Sequence, residues 1–156
     1  MRQRCYLWSV WLSWLGLPAL AVIIGVGVGW QAGVFVLIVG VVAQVAYVRW
    51  FPRISRWVGY GSVADEPVEA MPAHSASQVM LYTANVCPFC PLVRDRLQRL
   101  QQQIGFELHE VDVTFRPGLV QSKGFRAVPV VEIDGRQVVG NVTSAELAAL
   151  LTARPM

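Results

Sequence analysis

The pattern of hydrophobic positions divides the chain into a continuous apolar stretch near the N-terminus and a C-terminal half with regular short periods. From Cys5 to Val48 the sequence runs for 44 residues without Asp, Glu, Lys, Arg or His. As helix this run would be about 66 Å long at about 1.5 Å per residue, whereas a bilayer core is about 30 Å thick. The pattern therefore predicts two membrane-spanning helices, at about residues 6–29 and 32–50, with a tight turn in the GWQAG stretch between Gly29 and Gly33.

The rest of the chain predicts a linker followed by an α/β domain. Residues 57–77 have no helical or strand period and are rich in Gly, Pro, Ala and Ser, so we interpret them as a flexible tether that lets the next domain sweep over a membrane surface. Beyond them, a helix ending at Gly105 has one apolar face, and a capping box at Thr143 and Glu146 opens a last helix. Strands are predicted at 79–83, 106–113, 128–133 and 137–140, with a short helix or turn within 116–125. The domains are thus a membrane hairpin (1–56), a linker (57–77) and an α/β domain (78–156).

The basic residues predict the orientation of the hairpin. The net charge is +3, and arginines flank the apolar stretch on both sides while the turn between the helices has no charge. Because positive residues stay on the cytoplasmic side, both ends of this multi-pass hairpin should face the cytoplasm. The flanking arginines are Arg2, Arg4, Arg49, Arg53 and Arg56, and the tryptophans that fit interfacial anchors include Trp30, Trp50 and Trp57. From His74 onward the charges nearly balance, which excludes nucleic acid as a partner.

Two features of the apolar stretch leave alternatives open. The basic start and the small residues Ala19 and Ala21 fit a cleaved signal peptide, although the apolar run continues past them as a retained helix would. Small residues also recur every four positions, at Ala21, Gly25, Gly29 and Gly33. Such a face packs the hairpin on itself, forms a homodimer or docks a membrane partner, unless glycine is simply frequent there.

The chemistry of the C-terminal domain centres on the sequence CPFC, residues 87–90, between the first strand and the first helix. Cys87 is expected at the helix N-cap, where unpaired N–H groups and the helix dipole would lower its pKa below about 8.5. Cys87 would then attack a substrate disulfide and Cys90 would resolve the mixed disulfide. Pro88 suits the first helical position, whereas Pro91 removes an N–H and is expected to distort the first turn.

The order β-α-β-α-β-β-α, with the dithiol between the first strand and the first helix, resembles the thioredoxin fold and more narrowly the glutaredoxin family. The resemblance rests on YT before the motif, CPFC, VDV, VPVVEIDG and the glycine that follows, and GFRAVPVV is similar to redoxins that serve ribonucleotide reductase. It implies a four-stranded mixed sheet with three helices. It also implies a cis bond between Val128 and Pro129 beside the dithiol, where Val128 would pair with an extended substrate. The substrate-binding residues so expected are Tyr82, Pro88, Phe89, Val128, Pro129 and Gly140.

The resemblance leaves the electron donor open. Ala84, Ala127 and the sequence from Asn141 to Thr143 depart from the glutathione-binding pattern of glutaredoxins, although Lys123 and Arg126 could attract an anion. Glutathione and a flavoprotein reductase are therefore both retained as donors, and no bound cofactor is expected. The expected substrate is a disulfide-containing protein or small thiol at the cytoplasmic face of the membrane.

Other interpretations of the three cysteines remain. A structural Cys87–Cys90 disulfide would close a very small loop and stabilise little. A metal site would need more ligands than two thiols with His74 or His109, unless a dimer bridges an iron–sulfur cluster through Cys87. A membrane-anchored adaptor without dithiol turnover is the alternative function, and Cys5 is interpreted as an inert apolar residue at the membrane edge.

Overall fold

The computed structural model describes residues 3–54 and 78–152, apart from the side chain of Pro52. The predicted linker at 57–77, with the expected anchor Trp57, lies wholly outside these residues. The described chain begins with a two-residue strand, β1 (Cys5–Tyr6), which no sequence pattern predicted. It continues as a pair of long helices and then as an α/β domain.

The long helices are α1 (Leu7–Gly27) and α2 (Trp30–Ile54), joined by a turn in which Gly29 has a φ of +135°. Both are long enough and apolar enough to cross a membrane, and most of their residues are not buried within the protein. A Cβ atom on Gly33 would lie 2.5 Å from the Ala21 carbonyl oxygen and 3.0 Å from the Gly25 Cα. The small residues therefore pack the hairpin on itself, and Gly29 serves the turn instead of the helix interface.

The α/β domain has the predicted four-stranded mixed sheet with three helices. The four strands of this sheet are β2 (Gln78–Thr83), β3 (Glu107–Asp112), β5 (Val130–Ile133) and β6 (Arg136–Val139), and a further short strand, β4 (Ala127–Val128), lies outside it. The three helices are α3 (Cys90–Ile104), α4 (Pro117–Lys123) and α5 (Ser144–Thr152). The sheet order is β3-β2-β5-β6. Only β2 and β3 are parallel; the other neighbours are antiparallel. This is the thioredoxin-like arrangement that the resemblance implies.

Local sequence signals explain where these elements end. Gly105 adopts a left-handed φ of 82° and closes α3. Asp134 and Gly135 both have positive φ, as the tight turn between β5 and β6 requires. At the start of α5 the Thr143 amide donates to Glu146 Oε2 at 3.1 Å and the Glu146 amide donates to Thr143 Oγ1 at 3.3 Å, which confirms the capping box.

The buried side chains form two clusters. One lies between the sheet and helices α3 and α5 and includes Leu81, Leu97 and Leu147. The other surrounds the dithiol, and it includes Leu7 and Val10 of α1 and Phe51 of α2 together with residues of the α/β domain. The α/β domain is therefore packed against the open end of the hairpin.

This packing corrects the expectation of a domain that sweeps freely over the membrane surface. β1 pairs antiparallel with β4, and the predicted single strand at 128–133 is split into β4 and β5 at Pro129. Because proline has no N–H, it interrupts a strand ladder. The short strand that results pairs with the N-terminal segment instead of the main sheet.

Candidate active site

The loop that carries the dithiol is tied to the end of β3. The Asn85 amide donates to Thr114 Oγ1 at 2.8 Å, and the Thr114 amide donates to Asp112 Oδ1 at 2.7 Å. The Cys87 amide donates to the Asn85 carbonyl at 2.8 Å, and the Cys90 amide donates to the Cys87 carbonyl at 3.3 Å. These bonds hold the two cysteines on one turn, so that their sulfurs can join without a large change of the backbone.

The position of Cys87 relative to the helix differs from the prediction. Helix α3 begins at Cys90, its N-cap is Phe89, and Pro91 occupies the first turn. Pro91 has no N–H to donate to the Cys87 carbonyl, so the helix cannot extend back to Cys87. Cys87 is therefore in the turn before the helix instead of at its N-cap, and Pro88 lies in the same turn instead of at the first helical position.

The proline loop lies directly against Cys87, as the resemblance implied. The Val128–Pro129 bond is cis, and the Cys87 Sγ lies 4.0 Å from the Val128 carbonyl oxygen. Gly140, with a φ of 104°, donates its amide to the Pro129 carbonyl at 2.8 Å. Gly140 thus holds the loop in place. Tyr82 is buried beneath the site, and its hydroxyl donates to Glu132 Oε2 at 3.1 Å.

The backbone expected to receive a substrate is paired with the chain's own N-terminal segment, which we define as residues 3–6. Cys5 is opposite Val128, and Tyr6 is opposite Ala127. The Leu7 amide, next along the chain, donates to the Arg126 carbonyl at 3.2 Å. Sequence reasoning missed this contact, because a two-residue strand is too short to show a period.

Asn141 forms two hydrogen bonds with the other end of this segment. Its amide donates to the Gln3 carbonyl at 2.7 Å, and its side-chain Nδ2 donates to Gln3 Oε1 at 2.8 Å. The buried Arg96 donates from Nη1 to Asn141 Oδ1 at 2.5 Å and to the Val142 carbonyl at 2.7 Å. Arg96 therefore orients Asn141 for its contact with Gln3.

Cys5 lies next to Cys87 in this arrangement. It packs against the buried cluster that contains Cys87, close enough for the two thiols to influence each other, and all three cysteines are free thiols. Cys5 therefore lies beside the dithiol, a position that the interpretation as an inert residue at the membrane edge did not include. A third cysteine placed near the N-terminus of a chain with a redox dithiol was the one signal that could have revealed it.

The hairpin completes the cover over the site. The ring of Phe51 packs edge-on against Phe89 with centroids 5.1 Å apart, and Trp11 Nε1 donates to the Thr114 carbonyl at 2.8 Å. All four residues from Cys87 to Cys90 are buried, and Cys87 is only 1% exposed. Access to the dithiol requires this cover to move.

Burial also changes the acidity of the site. Desolvation raises the pKa of Cys87, against smaller lowering contributions from the Cys5 thiol and the Phe89 backbone. The hydrogen bond with Cys87 and then burial raise the pKa of Cys5. The expected lowered pKa of Cys87 is therefore not found with the segment in place, because the thiol lies outside the helix N-terminus and away from water.

Of the two basic residues expected to attract an anion, Lys123 and Arg126, Lys123 forms an ion pair with Glu132. Lys123 Nζ lies 2.9 Å from Glu132 Oε1 and 3.0 Å from Oε2, an ion pair that raises the pKa of Lys123 and lowers that of Glu132. Lys123 is thus engaged by a carboxylate instead of being available to an anion. His109 lies 3.1 Å from Glu107 Oε1. Within residues 3–54 and 78–152, no group of three or more His, Cys, Asp or Glu side chains is arranged to hold a metal.

Comparison with known proteins identifies the domain that carries this geometry. The family model described as Glutaredoxin matches residues 79–138. Uncharacterised proteins of Mycobacterium tuberculosis and Mycobacterium bovis are 38% identical to the chain over 68 residues, covering 40% of this chain and 69% of theirs. The chain belongs to the glutaredoxin family. Its glutaredoxin domain has the fold of a thiol oxidoreductase, and the hairpin lies outside the matched residues.

A solved structure is also similar to this glutaredoxin. It is the crystal structure of an N-terminal domain of the alkylhydroperoxide reductase AhpF from Enterococcus faecalis, with a TM-score of 0.47 and 28% identity. The match covers 58% of this chain and 47% of that one, so the glutaredoxin described above spans less than half of its length.

Proposed function

We propose that the chain is a membrane-tethered thiol–disulfide oxidoreductase that uses Cys87 and Cys90 to reduce disulfides at the cytoplasmic face of the membrane. The observation that carries this proposal is the position of the Cys87 Sγ, 4.0 Å from the Val128 carbonyl, on the loop that pairs with an extended segment. A substrate strand paired with Val128 would bring its own sulfur to Cys87. The apolar helices α1 and α2 support tethering.

The proposed reaction passes two electrons from the dithiol to the substrate. The Cys87 thiolate attacks one sulfur of the substrate disulfide; the Cys87–substrate bond forms, the substrate S–S bond breaks, and the second substrate sulfur leaves and takes up a proton. The Cys90 thiolate then attacks Cys87, which releases the first substrate sulfur as a thiol. The resulting Cys87–Cys90 disulfide is reduced by glutathione or by a flavoprotein reductase, and no bound cofactor is needed.

The test is a disulfide-reduction assay on the full chain in detergent, with glutathione or a thioredoxin-reductase-type flavoprotein supplied separately. Cys87→Ser should reduce activity to background with either donor, because the proposed reaction begins with attack by the Cys87 sulfur on the substrate disulfide. Cys90→Ser should lose the flavoprotein-dependent activity and keep only a glutathione-dependent remainder. Full activity in Cys87→Ser would refute the mechanism, and absence of turnover in the unsubstituted chain would favour the adaptor alternative.

A further inference from the structure

We propose that the N-terminal segment is a built-in substrate of the redox site and that Cys5 is a third redox cysteine, which forms a disulfide with Cys87. The proposal rests on the proposed dithiol chemistry and goes beyond it, because it assigns a partner within the same chain. Three independent observations support it: the pairing of β1 with β4, the hydrogen bonds from Asn141 to Gln3, and the placement of Cys5 beside Cys87.

The strand pairing places the segment where an extended substrate would bind. Cys5 pairs antiparallel with Val128, whose carbonyl also faces the Cys87 Sγ. In an extended strand, successive side chains point to opposite faces. Tyr6 is 60% exposed, so the strand turns Tyr6 outward and Cys5 inward.

The hydrogen bonds from Asn141 fix the register of the segment against β4. Two hydrogen bonds, one from the backbone and one from the side chain, connect Asn141 to Gln3. Helix α1 begins at Leu7, whose amide donates to the Arg126 carbonyl, and so fixes the other end. With both ends held, Cys5 cannot slide by one residue without breaking these bonds.

The contact between thiols makes disulfide exchange feasible without an added oxidant. Starting from the Cys87–Cys90 disulfide that the proposed reaction leaves behind, the Cys5 thiolate attacks the Cys87 Sγ. The Cys5–Cys87 bond forms, the Cys87–Cys90 bond breaks, and Cys90 leaves as a thiolate that takes the proton lost by Cys5. The reverse attack by Cys90 frees Cys5 again, so the exchange is an isomerisation with no net transfer of electrons.

The consequence is a closed form, in exchange with the Cys87–Cys90 disulfide, in which Cys87 is withheld from other disulfides. While Cys5 is joined to Cys87, the segment occupies the strand-pairing position beside Val128, so no external strand can pair there. Release requires Cys90, so the same cysteine that resolves a substrate disulfide would also reopen the site.

The test uses full-length Cys90→Ser in detergent, equilibrated with a glutathione redox buffer of about 1 mM, a concentration comparable with the millimolar effective concentration of a short tether. After acid quenching and alkylation, disulfides are mapped by mass spectrometry. We expect Cys5–Cys87 in most molecules, because glutathione added to Cys87 would be displaced by the adjacent Cys5. In Cys5→Ser/Cys90→Ser, glutathione should remain on Cys87.

A matched control moves the thiol by one residue. In the Cys90→Ser background, Cys5→Ser combined with Tyr6→Cys places a thiol on the outward face of the same strand, and its yield of disulfide with Cys87 should be at least about tenfold lower, in keeping with the opposed faces of an extended strand. An equal yield would show that the geometry does not select Cys5 and would overturn the inference. The same mapping of the oxidised, unsubstituted chain should recover the Cys5–Cys87 peptide as a minor species, a measurement independent of any substitution.

Failure of the inference and failure of the proposed function give different results. If the unsubstituted chain forms Cys87–Cys90 and Cys90→Ser carries only glutathione on Cys87, the third-cysteine inference is wrong and the dithiol function stands. If neither Cys87–Cys90 nor glutathionylated Cys87 is found, the dithiol function is wrong, and the inference falls with it.

Discussion

At the scale of single residues, the burial of Cys87 determines how its reactivity varies with pH. The docked segment raises the pKa of this thiol by desolvation, whereas an undocked Cys87 would titrate nearer the ordinary value of about 8.5. The stabilisation of the docked form is therefore complete below the undocked pKa and is lost as the pH rises through it towards the docked pKa.

We expect iodoacetamide to modify Cys87 at pH 7 at least about tenfold more slowly than free cysteine, and the rate of modification should increase more steeply above about pH 8.5. Peptide mass spectrometry gives the rate.

Two tryptophans on the first turns of α1 provide the control for this measurement. Trp11 donates to the Thr114 carbonyl, whereas Trp8 is 73% exposed on the same helix. Trp11→Ala should weaken docking by about 1 kcal/mol and raise the neutral-pH rate roughly fivefold, and Trp8→Ala should leave it unchanged. Rapid alkylation of Cys87 at pH 6 in the unsubstituted chain would mean that the thiol is ionised and uncovered, contrary to this account.

At the scale of the elements, the hairpin depends on glycines where its two helices touch. Gly33→Ala would force a Cβ to within 2.5 Å of the Ala21 carbonyl, so the helices must separate. We expect a loss of about 1–3 kcal/mol, typical of overpacking at a tight contact. The measurement is the Tm of the purified chain in detergent.

The control for the hairpin is a glycine on the same pair of helices that faces open space. A Cβ on Gly16 would meet nothing within 4 Å, so Gly16→Ala should leave the Tm unchanged or raise it slightly through the better helix propensity of alanine. Equal effects of the two substitutions would show that the close contact at Gly33 does not stabilise the hairpin.

The elements also show what the sequence could and could not predict. The amphipathic face of α3, the capping box at Thr143 and the Asp134–Gly135 turn are local signals, and they predicted the order of the elements and the end of α3, the turn between β5 and β6 and the start of α5. The distortion expected from Pro91 was the relevant signal for the start of α3, but the expectation of Cys87 at the N-cap did not take it into account, and the helix begins at Cys90. The pairing of β1 with β4 could not be predicted, since it joins two-residue segments more than one hundred residues apart.

The same limit applies to the candidate site. The cysteines and the cis proline were predicted from their spacing and from the family resemblance, and the structure brings them together. The positions of Cys5 and Asn141 beside the site were missed because each depends on a contact between the two halves of the chain. Tertiary packing also reversed the expected direction of the pKa shift at Cys87, which local helix geometry alone had suggested.

At the scale of the whole molecule, the position of the glutaredoxin domain and the placement of the basic residues support one orientation of the hairpin in a membrane. Helices α1 and α2 run in opposite directions, and the glutaredoxin domain packs against their open end through Leu7 and Phe51, away from the turn at Gly29. The described basic residues at this end include Arg4, Arg49 and Arg53, whereas the sequence of the turn has none. Since positive residues stay in the cytoplasm, the glutaredoxin domain should lie on that side and the turn on the other.

Single-cysteine labelling in intact cells tests this orientation. In a chain whose native cysteines are replaced by serine, a thiol at Gln31→Cys beside the turn should react with a membrane-impermeant maleimide added outside. A thiol at Gln103→Cys, on the exposed face of α3, should react only after the membrane is permeabilised. A permeant maleimide should label both variants equally and so controls for expression and thiol reactivity. Labelling of Gln103→Cys from outside would place the α/β domain on the opposite face and would contradict the proposed site of action. The proposed electron donors, glutathione and a flavoprotein reductase, require the cytoplasmic side, where thiols are kept reduced.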